Sequence, residues 1–459
     1  MKLTSDMKAV VLGLGESGFA AVQFLRSQGV QVGVSESRSK ERYAENQLAL
    51  LDKLQVSFET GGHSEQFIAD ADLIVPSPGV PLDLPILQFA REQGIPLVGE
   101  PALAAGRFTV PVIAVTGSNG KTTVTSLIGE LLQADGKKVF VGGNIGTPLL
   151  TYFLEPSGFD AIVLELSSFQ LELSGDFRPD IGLLLNLSPD HLDRHGSMEK
   201  YTAVKRRIFS NQGLEDTAIL GGDDPLVIAE NVTTAGTVLQ FGTGKKKAAR
   251  IEDHEISLQL AQEDCDEERY DLSATLLNSR VNRLNAAAAI LAARCVGCSR
   301  GAVQAGLVTY LPFEHRMTLV HEIDGVRFIN DSKATNVGAM IAALGSCDHR
   351  VVLIAGGRDK GSDFNQLRDV VKEHVKHLIL IGEAASALKK ALGTVVAIEH
   401  ASDMQDAVSR AAFAATPGDT VLLAPGCASF DMFSGYAERG RVFTRLVLDL
   451  QKKNKVIKE

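Results

Sequence analysis

One segment constrains the chain more than any other. Val112-Ile-Ala-Val-Thr116-Gly117-Ser118-Asn119-Gly120-Lys121-Thr122-Thr123 is an apolar strand that runs into a glycine-bearing turn and then into a helical pattern. Such a strand–turn–helix unit builds a parallel sheet with crossover helices. The turn also suits phosphate: Gly117 and Gly120 free backbone N–H groups to face anionic oxygens, the helix start near Thr122 aims its dipole at them, and Lys121 adds charge. Thr122 is then placed to offer its hydroxyl to Mg²⁺. The spacing is G-x-x-G-K-T, shorter than the usual G-x-x-x-x-G-K-[ST], so a plain glycine turn with a solvated lysine is the competing reading.

The same unit recurs along the chain. Ala9–Leu14, Val30–Val34 and Asp72–Val75 read as strands of a first α/β domain, residues 1–99. Val112–Val115, Lys138–Val141, Ala161–Leu164, Ile181–Leu185 and Ala218–Leu220 predict a central nucleotide domain, residues 100–312, with helices after the turn and around Tyr201–Phe209. Val326–Ile329, Val351–Ala355, Leu378–Ile381 and Val421–Ala424 predict a third, residues 313–459. The fold class is α/β in three domains: a Rossmann-like first, a P-loop-type ATPase second with a parallel sheet, and a Rossmann-like third. In open sheets of this kind ligands sit at the carboxyl ends of the strands.

Gly13-Leu-Gly15-Glu-Ser-Gly18 follows the first strand and opens a helix, and Glu36 closes the next strand, which meets the dinucleotide fingerprint in full. A nicotinamide-dependent oxidoreductase is therefore one candidate. The geometry serves any diphosphate, however, and a second phosphate turn a hundred residues later favours two phosphorylated ligands over one dinucleotide.

Composition narrows the remaining classes. With 459 residues, 46 Lys+Arg and 56 Asp+Glu, the net charge of −10 argues against a nucleic-acid surface and leaves room for anions in local pockets. Lys245-Lys246-Lys247 reads as a solvated loop. No apolar run reaches 18 residues and Met1 to Met7 lacks a signal-peptide layout, so the expectation is a cytoplasmic protein with no membrane insertion. Cys265, Cys295, Cys298, Cys347 and Cys427 are odd in number and scattered, which argues against a disulfide framework. Cys295-Val-Gly-Cys298 lacks the second pair or histidine that a zinc site needs, and it closes the alanine-rich helix 285–293.

Further segments carry chemistry. Glu165 ends a buried strand in Leu164-Glu-Leu-Ser-Ser-Phe-Gln170, where a carboxylate needs a partner such as a metal ion. His191 stands in Asp190-His-Leu-Asp-Arg-His195, Lys205 on a helix, and Asn330-Asp-Ser-Lys-Ala-Thr-Asn336 opens the third domain. Singly, each has an ordinary reading: a buried capping acid, a hydrogen-bonded loop histidine, a solvated helix face.

Taken together, TGSNGKTT, GGNIG, LELSSFQL, DHLDRH, NRLNAAAA, EHR, NDSKATN, GGRDKGSDF and APGCASFD occur in the order found in the Mur ligases of peptidoglycan synthesis, and the chain resembles that family over nearly its whole length. LSSFQL and NDSKATN resemble the D-glutamate-adding branch. One departure is Val281, where the family usually has histidine before the asparagine of the adenine site; the glycine expected just upstream is also missing.

The resemblance implies an ATP-dependent, monomeric ligase that joins D-glutamate to UDP-N-acetylmuramoyl-L-alanine through an acyl phosphate. It implies ATP contacts from Gly117, Ser118, Asn119, Gly120, Lys121, Thr122 and Thr123, with Asn282, Asn285, Arg316 and Asp331 around the adenosine. Two Mg²⁺ would be held by Thr122, Glu165, His191 and a carbamylated Lys205; Lys121, Glu165, His191 and Lys205 form the catalytic set. The UDP-substrate would meet Glu16, Ser17, Glu36, Ser37, Arg38, Gly79, Asn144 and His191, and D-glutamate would meet Thr335, Lys360, Ser429 and Tyr436. Lys333 supports the phosphate and carboxylate charges, and Arg358 receives no role. A nucleotide-sensing protein that binds ATP without ligation is the third candidate.

Overall fold

The computed structural model describes residues 2–155, 158–229, 232–260, 267–347 and 350–458; Cys265 lies outside them. Among these residues the strands form three sheets. The first contains β1 (Lys8–Leu12), β2 (Gln31–Glu36), β3 (Ser57–Thr60) and β4 (Leu73–Pro76), ordered β3-β2-β1-β4 with every pair parallel. Ala9, Val10, Val11 and Leu12 are wholly buried, as expected of a strand covered on both faces.

The second sheet takes β5 (Val112–Thr116), β6 (Val139–Gly143), β7 (Ala161–Glu165), β8 (Ile181–Leu184), β9 (Thr217–Gly221), β10 (Thr237–Gly242), β11 (Ala249–Glu252), β12 (Glu255–Leu258) and β13 (Glu268–Asp271). Their order is β13-β12-β11-β10-β9-β8-β5-β7-β6, parallel except for the antiparallel pairs that β12 makes on either side. The third sheet runs β14 (Thr318–Ile323), β15 (Val326–Asn330), β19 (Thr420–Leu423), β16 (Val351–Gly356), β17 (Val375–Ile381) and β18 (Ala397–His400), parallel except between β14 and β15. Apolar side chains cover it on two faces, around Leu353 and Leu378 on one and Ile354 and Phe443 on the other.

Every strand read from sequence is present, within a residue or two to three at its ends. Several others were not read: β3, β10 to β14 and β18. By internal contact the chain divides into two compact units. One comprises residues 1–186, 199–271 and 285–309 and holds the first two sheets; the other comprises 187–198, 272–284 and 310–459 and holds the third. Among the described residues no helix is long and apolar enough to cross a membrane.

Candidate active site

The first unit carries a cavity of about 800 Å³ at the carboxyl end of the first sheet. The turn after β1 forms one wall. Gly13 sits at φ +83°, and a Cβ on Gly18 would lie 2.2 Å from the Gly13 carbonyl oxygen, so the helix Glu16–Ser27 can approach the turn this closely only with glycine there. Glu16, Ser17, Glu36, Ser37, Arg38, Gly79 and Asn144 all line the cavity. Two further lining residues, His63 and Gln170, have no role in the sequence reading. His63 follows the unread strand β3 and meets the Ser35 hydroxyl at 2.7 Å.

Glu36 has a task that sequence did not reveal. It is 2 % exposed, and its carboxylate accepts from the backbone N–H of Leu14 (2.7 Å) and of Arg38 (2.9 Å), from the Tyr43 hydroxyl (2.5 Å), from the Ser37 hydroxyl (3.2 Å) and from the Arg38 guanidinium. Burial pushes its pKa up, but the bonds from Tyr43, Arg38 and Leu14 outweigh it and hold the acid at about 2. A carboxylate has about four lone-pair positions, and these donors fill them. Glu36 thus ties the glycine turn to the end of β2, and a ribose diol would find no acceptor capacity left on it. This removes the main support for the dinucleotide reading.

The second glycine turn follows β5. Ser118 N–H donates to Asn186 O (2.9 Å), Asn119 N–H to Asn186 Oδ1 (2.8 Å), and Asn186 Nδ2 returns a bond to Asn119 O (3.0 Å). Asn186, another residue without a sequence role, therefore sets the loop's shape. Gly120 stands at φ +85° as the N-cap of the helix Lys121–Ala134, and a Cβ there would lie 2.4 Å from Asn285 Oδ1. Lys121 Nζ donates to the carbonyls of Gly117 and Ser118, both at 2.8 Å, inside the loop itself. Thr122 and Thr123 open the helix, the second buried and the first half-buried.

Two side chains beside this turn bear on a metal. Glu165, at the end of β7, is 3 % exposed; its Oε1 accepts from Asn144 Nδ2 (2.8 Å), while Oε2 is buried without a hydrogen-bond partner. An orphaned carboxylate oxygen of this kind calls for a cation. Lys205 is 1 % exposed, not a solvated helix face: its Nζ donates to Gly117 O (2.8 Å) and Thr116 Oγ1 (3.4 Å) and lies 4.8 Å from the Tyr201 ring centre. Among the described residues no cluster of three or more His, Cys, Asp or Glu could hold a metal by itself. The donors present are hard oxygens, which suit Mg²⁺ shared with phosphate.

The second unit gathers the other predicted residues. His191 adopts a left-handed backbone (φ +54°) and caps the short helix Leu192–His195. Its neighbour Asp190, quoted in the motif but given no role, accepts from Lys360 Nζ at 2.9 Å and from Asn336 Nδ2 at 3.0 Å. Burial pushes Asp190 up, and the charges of Lys360 and His191 with these bonds hold it below the usual carboxylate range. Asp331 is buried, and that burial raises it to about 7 against the opposing charge of Arg316 and the N–H of Met317. His315 and Met317, on either side of Arg316, both have positive φ. Asn282 sits in the first turn of the helix Arg280–Cys295.

Ser429 is buried, Thr335 half-buried and Tyr436 38 % exposed, with Lys333 Nζ 3.8 Å from the Tyr436 ring centre. Arg439, unmentioned by sequence reading, is 1 % exposed and donates to Ser332 Oγ (3.0 Å), Ser332 O (2.9 Å) and Cys427 O (3.2 Å). It clamps the loops after β15 and β19 together. Arg358 pairs with Glu383 at 3.0 Å. Cys298 is buried with its thiol directed to Leu131 O at 3.3 Å.

Comparison with known proteins places these features in one lineage. The MurD-like N-terminal domain model matches residues 7–99, the Mur ligase middle domain 115–293, and the Mur ligase glutamate ligase domain 315–427. A UDP-N-acetylmuramoylalanine–D-glutamate ligase from Desulfotalea psychrophila is 46% identical over 441 residues, covering 96% of each chain. One of the same description from Koribacter versatilis is 43% identical over 98% of each. Among solved structures, a MurF ligase from Thermotoga maritima in complex with ADP shares the fold at a TM-score of 0.61 with 17% identity, covering 99% of this chain and 98% of that one.

Proposed function

The chain belongs to the Mur ligase family, and on that premise we propose that it joins D-glutamate to UDP-N-acetylmuramoyl-L-alanine at the expense of ATP, in peptidoglycan precursor synthesis. Residues 1–99 bind the UDP-substrate, 100–312 bind ATP and 313–459 receive D-glutamate. The observation that carries this assignment is the pair of separate phosphate-type turns within one unit, one opening on a cavity of about 800 Å³ and the other bordered by the orphaned Glu165 oxygen. A single dinucleotide would occupy only one of them.

A carboxylate is a poor electrophile, so the terminal carboxylate of the UDP-substrate first attacks the γ-phosphorus of ATP; a new O–P bond forms, the bridge to the β-phosphate breaks and ADP leaves. The amine of D-glutamate then attacks the acyl carbon, loses a proton, and expels phosphate from the tetrahedral intermediate. Lys121 moves its donors from the carbonyls of Gly117 and Ser118 to the phosphates, beside the start of the helix Lys121–Ala134. Mg²⁺ would be held by Thr122 and Glu165, with a second at His191 and Lys205, and supplies charge neutralisation at the transferring phosphoryl group. Carbamylation would make Lys205 a ligand by replacing its ammonium donors with carboxylate-like oxygens. Asn282, Asn285, Arg316 and Asp331 hold the adenosine; Thr335, Lys360, Ser429 and Tyr436 orient D-glutamate. Lys360 brings its charge already aligned by Asp190.

Binding of the UDP-sugar falls to Glu16, Ser17, Ser37, Arg38, Gly79, Asn144 and His191, with Glu36 supporting the wall from within. The enzyme works as a cytoplasmic monomer. The deciding experiment is a coupled assay for ADP release. Release that requires both UDP-N-acetylmuramoyl-L-alanine and D-glutamate is expected, because the acyl phosphate forms only when carboxylate and γ-phosphate are aligned; equal release with ATP alone would make the protein an NTPase.

A further inference from the structure

The order of the first sheet lays out one wall of the UDP-substrate cavity in sequence: the glycine turn after β1, Ser37 and Arg38 after β2, and His63 after the edge strand β3. His63 therefore stands two strand spacings, roughly 10 Å, from the turn that suits a diphosphate. A nucleoside extended from that diphosphate along the wall brings its base to this end. His63 is half-buried, and its one hydrogen bond runs back into the sheet, to Ser35.

The partners of Ser35 decide which ring nitrogen of His63 carries the proton. Ser35 is wholly buried and sits in register with Glu59 on β3. Its hydroxyl has two acceptors in reach, Glu59 Oε1 at 2.8 Å and Gly62 O at 3.4 Å. A hydroxyl has one proton to give, and the bond to a carboxylate is the stronger. The third contact, His63 Nδ1 at 2.7 Å, then has to donate to Ser35 Oγ, so the neutral ring is protonated on Nδ1 and bare on Nε2. The two ring nitrogens point roughly away from each other. With Nδ1 on a buried hydroxyl, Nε2 turns outward from the wall, and among the described residues it has no hydrogen-bond partner.

We propose that His63 makes the cavity specific for uracil, its Nε2 accepting the N3–H of the base. Glu36 cannot serve, since Leu14, Arg38, Ser37 and Tyr43 already fill its lone pairs. Arg38 only donates, which suits the carbonyl oxygens on either side of N3. Cytosine has a lone pair at N3 where uracil has a proton, and that lone pair would face the one on Nε2. A site built to meet a donor rejects the analogue that lacks it, because its own acceptor is left unpaired. The proposal rests on the cavity being the UDP-substrate site, and the experiment separates the two claims. Displacement calorimetry at pH 8, where free imidazole is neutral, sets UDP and CDP against UDP-N-acetylmuramoyl-L-alanine on wild type, His63→Ala, Ser35→Ala and Arg38→Ala.

Arg38→Ala tests the cavity: unchanged affinity for the UDP-substrate there would withdraw the site, and the proposal with it. Given a loss in Arg38→Ala, wild type is expected to prefer UDP over CDP by about ten- to a hundredfold. His63→Ala should lose most of that preference, UDP weakening while CDP does not. Ser35→Ala keeps the ring but releases its proton to move to Nε2, so the preference should fall there too. A merely structural His63 would weaken both nucleotides alike. Equal losses for UDP and CDP, or a preference that survives in either variant, would overturn the proposal. Should Ser35→Ala fail to fold, His63→Ala decides it alone.

Discussion

Glu36 offers the sharpest quantitative test, because the structure assigns it a supporting task where a nucleotide fingerprint would assign it a ligand. Replacing it with alanine strands the Leu14 N–H, whose residue is 2 % exposed, and the Tyr43 hydroxyl. Each buried polar group left unpaired costs about 1–3 kcal/mol, whereas the Arg38 donors, on a side chain 57 % exposed, regain water and cost little. The sum is about 3 kcal/mol. Spread over a unit of roughly 280 residues, at about 2.1 cal/mol/K of unfolding entropy per residue, that lowers the melting midpoint by about 5 °C.

The pH dependence has a definite sign. Glu36 is held at about 2, below its ordinary 4.5, so its contribution is fully present above pH 4.5 and is lost as pH falls from 4.5 toward 2. The gap in melting midpoint between wild type and Glu36→Gln should thus be widest at neutral pH and narrow on acidification. Differential scanning calorimetry across pH 3 to 7 measures it. Affinity for the UDP-substrate should fall in Glu36→Ala by roughly 1–3 kcal/mol as the glycine turn loosens, with binding of an ATP analogue nearly unchanged. A Glu36→Ala protein that melts with wild type, or micromolar NAD binding that depends on Glu36, would refute this account.

Gly120→Ala should weaken nucleotide binding at least about tenfold, since it combines a left-handed backbone costing roughly 1–2 kcal/mol with a Cβ 2.4 Å from Asn285 Oδ1; titration with an ATP analogue checks it. Lys205→Ala should lose most activity and regain part of it with added acetate or formate, because the missing group is a carboxylate-like ligand; undiminished activity would remove Lys205 from the site. Arg439→Lys keeps the charge but not the fork that reaches both Ser332 and Cys427, so the KM for D-glutamate should rise more than kcat falls, and an unchanged KM would reduce Arg439 to a packing role.

What sequence made legible was whatever depends on neighbouring residues. The turns at Gly13 and Gly120 announce themselves because positive φ and close backbone approach demand glycine locally, and β1, β5 and β16 are apolar runs buried on both faces. The unread strands are of another kind. Ser57-Phe-Glu-Thr60 and Glu268-Arg-Tyr-Asp271 are short, polar and near sheet edges; pairing partners, not propensity, make them strands. Some side-chain partners stayed hidden for the same reason. Asp190 meets Lys360 across 170 positions and Arg439 meets Ser332 across 107, separations that no local pattern records. Glu36 was visible as an acid in the right place, yet its task depends on Tyr43 and Leu14, which a fingerprint does not include.

The helix Tyr436–Lys458 has the look of a tail added after the last strand, and Arg439 ties it to the loops after β15 and β19, where the D-glutamate contacts are proposed. Its guanidinium holds the loops that carry Thr335 and Ser429 by their own carbonyls and hydroxyl. A deletion from residue 437 onward would leave Thr335, Lys360, Ser429 and Tyr436 in the chain, yet the two loops would lose the cation that joins them. Truncation of the terminus would then read out as a failure to recognise the incoming amino acid, and a compound wedged between this helix and the two loops at Arg439 would inhibit the enzyme by parting them.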